Sequence, residues 1–172
     1  MLLKSGVKSE NLKQCFDALA VAEYTPESRT LLLKLLINGV KTAEMKIVFE
    51  FLKLRGNNPT DPDLILELLR LGVSSPYLKQ CFDALAIREN NPIDSKVIIQ
   101  LLEAGITLPE LKLCFEAINV RGNNPIDPWL VFEFLKAGVS TENLKSCYEA
   151  LAVRDNKPED PKLLLQLLKA GV

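Results

Sequence analysis

Gly-Val or Gly-Ile recurs at Gly6, Gly39, Gly72, Gly105, Gly138 and Gly171, always 33 residues apart. The two remaining glycines, Gly56 and Gly122, share one register of the same period. The prolines obey it as well: Pro26, Pro59, Pro92, Pro125 and Pro158 form one column, Pro62, Pro128 and Pro161 a second, Pro76 and Pro109 a third. Cys15, Cys81, Cys114 and Cys147 form another column, with Val48 at its vacant position. Residues that punctuate backbone structure do not align this way by chance. A fixed period of this length is the signature of a stacked-repeat architecture.

Each repeat reads as two helices. Helix A is expected to open on a Ser/Thr cap, as at Ser9, Thr42, Ser75 and Thr141. In the fourth repeat Thr107 and Glu110 have the spacing of a capping box. Apolar residues then follow at helical spacing, for example Leu78, Cys81, Phe82 and Leu85. The stretch Arg121-Gly122-Asn123-Asn124-Pro125-Ile126-Asp127 breaks helix A, because a residue before proline is driven out of the helical region. Asp61, Asp127 and Asp160, with Asp94 and Ser28 in the same role, are expected to cap helix B. Helix B is nearly all apolar, as in Leu163, Leu164, Leu165, Leu167 and Leu168, and so calls for cover on several sides. Its Gly-Val end predicts a left-handed stop, with Val139 folding back on Phe134.

One such hairpin cannot hide its own apolar surface, so neighbouring copies must supply cover. The expected fold is all-α: an α-solenoid of five 33-residue two-helix repeats plus a partial N-terminal one, right-handed by its resemblance to similar repeat classes. It forms a single helical-repeat domain over 1–172, with repeats at 6–38, 39–71, 72–104, 105–137 and 138–170. Met1–Ser5 reads as the tail of a preceding helix B. Neither terminal repeat has a polar outer face. That predicts either a longer array or end-to-end self-association through uncapped ends.

The pattern resembles the αα-hairpin repeat class, which includes tetratricopeptide, pentatricopeptide, HEAT and ankyrin arrays. The period matches ankyrin, and Leu-Leu-Lys-Ala-Gly-Val at 167–172 resembles the end of the second ankyrin helix. The ankyrin Thr-Pro-Leu-His signature is absent from every repeat, and the tetratricopeptide positions do not match. The resemblance covers the whole chain at the level of architecture, and implies a scaffold that binds along a surface.

Composition removes several function classes. The chain of 172 residues has no His, 21 Lys+Arg against 22 Asp+Glu, and a net charge of −1. Without His, a Ser or Cys nucleophile lacks its usual activator. The glycines are helix stops, not a phosphate-binding loop. No catalytic residue, metal or cofactor is expected, and the chain is read as a non-enzyme. Its opening residues have no signal-peptide run, and its most apolar stretch is far short of a membrane span. A cytoplasmic, reducing location is therefore expected. Cysteines one repeat apart would lie about 10 Å from each other, too far for disulfides or a zinc site, and read as small buried hydrophobes.

Lys13, Lys46, Lys79, Lys112 and Lys145 each have an acid four residues on, which predicts solvated helix-surface pairs. Arg55, Arg88, Arg121 and Arg154 form a loop column, absent from the first repeat, where Ala22 stands instead. Their guanidiniums suit either a partner's carboxylates or phosphates, or structural pairing with acids of helix A or the next repeat. Two columns vary between repeats: Thr30, Asp63, Lys96, Trp129, Lys162, and Asn11, Glu44, Tyr77, Glu110, Asn143. Trp and Tyr are favoured interface anchors. The candidate partner-contact residues are Trp129, Tyr77, Lys96, Lys162, Arg88, Arg121 and Arg154. The expected function is a protein-interaction scaffold that binds a peptide or protein. A single-stranded RNA reader or a structural spacer in a larger protein is the alternative.

Overall fold

The computed structural model describes residues 7–56, 61–89, 91–122, 124–153 and 160–171. The helix tail expected at Met1–Ser5, and Arg154 with its turn, lie outside them. Among the described residues every regular element is helical. The α-helices are α1 (Leu12–Val21), α2 (Pro26–Ile37), α3 (Thr42–Leu54), α4 (Asp61–Arg70), α5 (Leu78–Ala86), α6 (Asp94–Glu103), α7 (Leu108–Asn119), α8 (Asp127–Lys136), α9 (Leu144–Val153) and α10 (Asp160–Lys169). Short 3-10 turns at Ser9–Asn11, Ser75–Tyr77 and Thr141–Asn143 lead into α1, α5 and α9. None of the described helices is long and apolar enough to cross a membrane.

The chain divides into two compact units, Met1–Lys79 and Gln80–Val172. In the N-terminal unit α1 packs on α3 and α2 on α4, while α2 also touches α1 and α3. In the C-terminal unit α7 packs on α9, α6 on α8 and α8 on α10, with α7–α8 and α9–α10 joining the layers. First helices thus pack on first helices and second on second, as the apolar stripes require. The stripes are the core: Cys15, Ala18 and Leu19 with Met45, Val48 and Phe49 in one unit, Leu111, Cys114 and Phe115 with Leu144 and Tyr148 in the other. Each fully buried Leu, Ile or Phe contributes about 1.5–3 kcal/mol relative to exposure.

The helix stops follow the sequence pattern. The Val139 amide donates to the Phe134 carbonyl at 3.1 Å, and the Gly138 amide to Leu135 at 3.0 Å. Gly138 has φ +87°, a conformation that costs glycine nothing. The same pair of bonds ends α2, α4 and α6 at Val40, Val73 and Ile106. The capping box also forms, with the Thr107 N–H donating to Glu110 Oε2 at 2.8 Å.

The other expected caps do not form. Ser75 and Thr141 are the first residues of their 3-10 turns, and Ser9 likewise; Thr42 begins α3. None of these four serves as an N-cap; that place falls to Lys8, Lys41, Ser74 and Ser140, without a side-chain bond. Three of these hydroxyls turn to the previous repeat instead. Ser75 donates to Glu44 Oε2 at 2.9 Å, Thr141 to Glu110 Oε1 at 3.1 Å, and Thr42 to the Gln14 side-chain oxygen. Asp61, Asp94, Asp127 and Asp160 are first helical residues, not caps, and Ser28 yields that role to Thr25, which accepts from the Ser28 N–H at 3.1 Å. For Asp61, Asp94 and Asp127 the competing demand is ionic: a buried carboxylate needs a counter-charge more than a helix end needs one acceptor.

Candidate functional site

The counter-charge comes from the arginine column. Arg55 Nε lies 2.6 Å from Asp61 Oδ2, Arg88 Nε 3.0 Å from Asp94 Oδ2, and Arg121 Nη1 3.2 Å from Asp127 Oδ1. Each arginine lies one or two residues past the end of a first helix, and its aspartate opens the second helix of the same repeat. In each case the acid six residues on, in the same repeat, is an ion partner, and Asp127 of the next repeat also feels the charge of Arg88. Arg88 also bonds the backbone of the next repeat: its Nη1 donates to the carbonyls of Ile118 at 3.3 Å and Gly122 at 3.2 Å. A guanidinium has enough N–H donors to hold the carboxylate and the α7 end together.

Burial governs the electrostatics here. The Arg88 and Asp94 side chains are 1% and 0% exposed. Loss of water raises the Asp94 carboxyl above its ordinary value despite the attraction of Arg88. Asp127 is likewise raised by burial, against the pull of Arg121 and Arg88. Glu110 moves the opposite way, held down first by the Thr107 hydroxyl, then by the Thr107 N–H, with Thr141 adding to both. All four cysteines are free and buried. Burial pushes Cys81 to about 11 and Cys114 to about 12, which suppresses the thiolate. Tyr148, also raised by burial, donates to the Asp127 carbonyl at 2.7 Å and meets Phe134 edge-on. Among the described residues no group of three or more His, Cys, Asp or Glu side chains is placed to hold a metal ion.

These positions sort the candidate contact residues. Arg88, 2% exposed, is a buried structural residue, and the Arg121 side chain is 4% exposed. Neither guanidinium is presented to a partner, because each is held against an aspartate and screened from solvent. Arg154 lies outside the described residues. Trp129 is 42% exposed and stacks on Phe132 with ring centroids 6.4 Å apart. Lys96, Trp129 and Lys162 are the third residues of α6, α8 and α10, helices that pack in succession, and all three are exposed. They form a lysine–tryptophan–lysine row in the C-terminal unit. Tyr77, half exposed, ends the Ser75–Tyr77 turn of the N-terminal unit. Glu44 and Glu110, from the same variable column as Tyr77, serve as acceptors between repeats.

A second feature was not foreseen. In the first repeat the arginine is replaced by Ala22 and the aspartate by Ser28. A pocket of about 600 Å³ opens there, lined by Ala22, Glu27, Ser28, Leu31, Phe49 and Leu52 among others. The sequence does carry a sign of it: both halves of the ion pair are lost together. Chemically the lining brings together an apolar wall, the hydroxyl residues Thr25, Ser28 and Thr30, the Glu27 carboxylate and the Lys34 ammonium. Family models, curated proteins and solved structures yield no match to this chain.

Proposed function

We propose that the chain is a non-enzymatic interaction scaffold: a right-handed α-solenoid of five repeats that binds a peptide or protein partner along its surface. The observation that carries this reading is the exposed Trp129, stacked on Phe132 and flanked in register by Lys96 and Lys162. A large aromatic ring beside exposed cations suits a partner with an apolar anchor and acidic neighbours. The like-on-like helix packing inside each compact unit supports the stacked-hairpin architecture. A cytoplasmic setting suits four cysteines kept free in a buried column. The RNA alternative loses weight because the Arg88 and Arg121 guanidiniums are engaged with aspartates.

The test compares partners captured by the immobilised wild-type chain and by Trp129→Ala, alongside filter binding of single-stranded RNA at low and high salt. A reduction of tenfold or more in recovery is expected for the variant, with no RNA retained at either salt. Equal recovery removes Trp129 as the anchor. Salt-sensitive RNA retention replaces the scaffold reading with the nucleic-acid one.

A further inference from the structure

We propose that the pocket beside Ala22 is a receptor for an arginine side chain presented by a peptide partner. This deepens the interaction reading and rests on it only for the source of the arginine. The inference comes from the molecule's own register. Where the pocket lies in the first repeat, the third repeat holds Arg88, whose guanidinium contacts Asp94 and, 30 and 34 residues on, the carbonyls of Ile118 and Gly122. The residues at the same offsets from Ala22 are Leu52 and Gly56, and Leu52 lines the pocket. The residue aligned with Asp94 is Ser28, also on the lining. The pocket is thus the arginine compartment of the fold with its own arginine deleted.

Its chemistry fits an incoming arginine better than an apolar or compact cationic guest. The wall made by Ala22, Leu31, Phe49 and Leu52 matches the three-carbon stem of arginine. The Ser28 hydroxyl donates to the Thr25 carbonyl at 2.8 Å, which leaves its lone pairs free to accept. Glu27, on the lining, supplies the negative charge that Ser28 lacks. Lys34, the one cation among the described lining residues, lies 4.0 Å from Asp63. A volume of about 600 Å³ is within the range of small-ligand pockets and leaves room for backbone atoms beside the guest.

The test titrates the full chain with the pentapeptide acetyl-Gly-Gly-Arg-Gly-Gly-amide, and with versions carrying citrulline or lysine in place of arginine. Backbone amide shifts are followed by two-dimensional NMR. Saturable shifts at Ala22, Ser28 and Leu52 are expected with the arginine peptide, at least tenfold weaker with citrulline and several-fold weaker with lysine. Two filled variants, Ala22→Arg/Ser28→Asp and Ala22→Met, should abolish them, so misfolding of either still leaves a test. Trp129→Ala should retain them. Absence of saturable shifts, equal affinity for citrulline, or persistence in a folded filled variant overturns the assignment. If the peptide binds while Trp129→Ala recovers partners as well as wild type, the pocket stands and the tryptophan anchor falls.

Discussion

The turn of the first repeat and the turn of the third do the same structural task with opposite chemistry. Arg88 and Asp94 form an ion pair sealed from water, while Ala22 and Ser28 leave a pocket. Yet α2 starts as cleanly as α6, on a Thr25 cap with Pro26 at its first position. The comparison teaches that the helical hairpin does not need the ion pair. What the fold cannot tolerate is half of one. A buried pair roughly balances its desolvation against its attraction, but a lone buried charge has nothing to offset it. This explains why both members are absent together from the first repeat.

The largest expected effect breaks the pair on one side. Arg88→Ala strands Asp94 and also removes donors from the Ile118 and Gly122 carbonyls, at a cost of about 3–5 kcal/mol. Transplanting the first-repeat solution, as Arg88→Ala/Asp94→Ser, should recover at least about 1 kcal/mol of that loss. Urea unfolding of the two variants measures the difference. A double variant no more stable than Arg88→Ala would show that the aspartate carries no penalty when left alone, and the argument for paired loss would fail.

Legibility in the sequence followed how local each interaction is. The helix stops, the Thr107–Glu110 box and the surface pairs Lys13–Asp17, Lys46–Glu50 and Lys112–Glu116 all span six residues or fewer of a regular helix or its end, and the pattern predicts each. The aspartate before proline at Asp127 has the signature of a cap, and that signature misleads. A cap bond is worth about 1 kcal/mol, whereas a buried carboxylate demands its counter-ion. The Ser75 and Thr141 hydroxyls mislead for a different reason. Their acceptors, Glu44 and Glu110, lie 31 residues earlier and come within reach only once adjacent first helices have packed. The pocket was the least legible feature. Ala22 reads as a lapse in a pattern, and only the position of Arg88 shows what space the lapse vacates.

One residue after the arginine column the same two repeats agree with each other and differ from the second and fourth. Glu23 and Glu89 hold φ +57° where Gly56 and Gly122 have +70° and +65°. An L-residue with a side chain pays roughly 1–2 kcal/mol for this conformation, part of which glycine returns through its freer unfolded chain. Glu89→Gly should therefore stabilise the protein by about 0.5–1 kcal/mol, read as a higher midpoint in thermal or urea unfolding. Gly122→Glu should do the reverse. A destabilised Glu89→Gly would mean that the Glu89 side chain makes a contact worth more than the strain.

The smallest effect separates the two kinds of carboxylate in the C-terminal unit. Glu110 is stabilised in its charged form by the Thr107 hydroxyl and N–H and by Thr141, so its folded pKa lies below the ordinary 4.5. A depressed carboxylate contributes stability above its unfolded pKa and loses it as pH falls through the folded value. Asp94 and Asp127, raised by burial above 3.8, act in the opposite sense: their ionised forms weigh against folding, and protonation relieves that. Comparing wild type with Glu110→Gln cancels the aspartates, which both chains share. The stability gap should then be steady near neutral pH and close progressively below about pH 4.5, with a plateau under about 1 kcal/mol because the carboxylate is screened by solvent. A gap that instead widens on acidification would reverse the sign assigned to Glu110. It would also detach the Thr107 box and the Thr141 hydroxyl from the energetics of packing one repeat on the next.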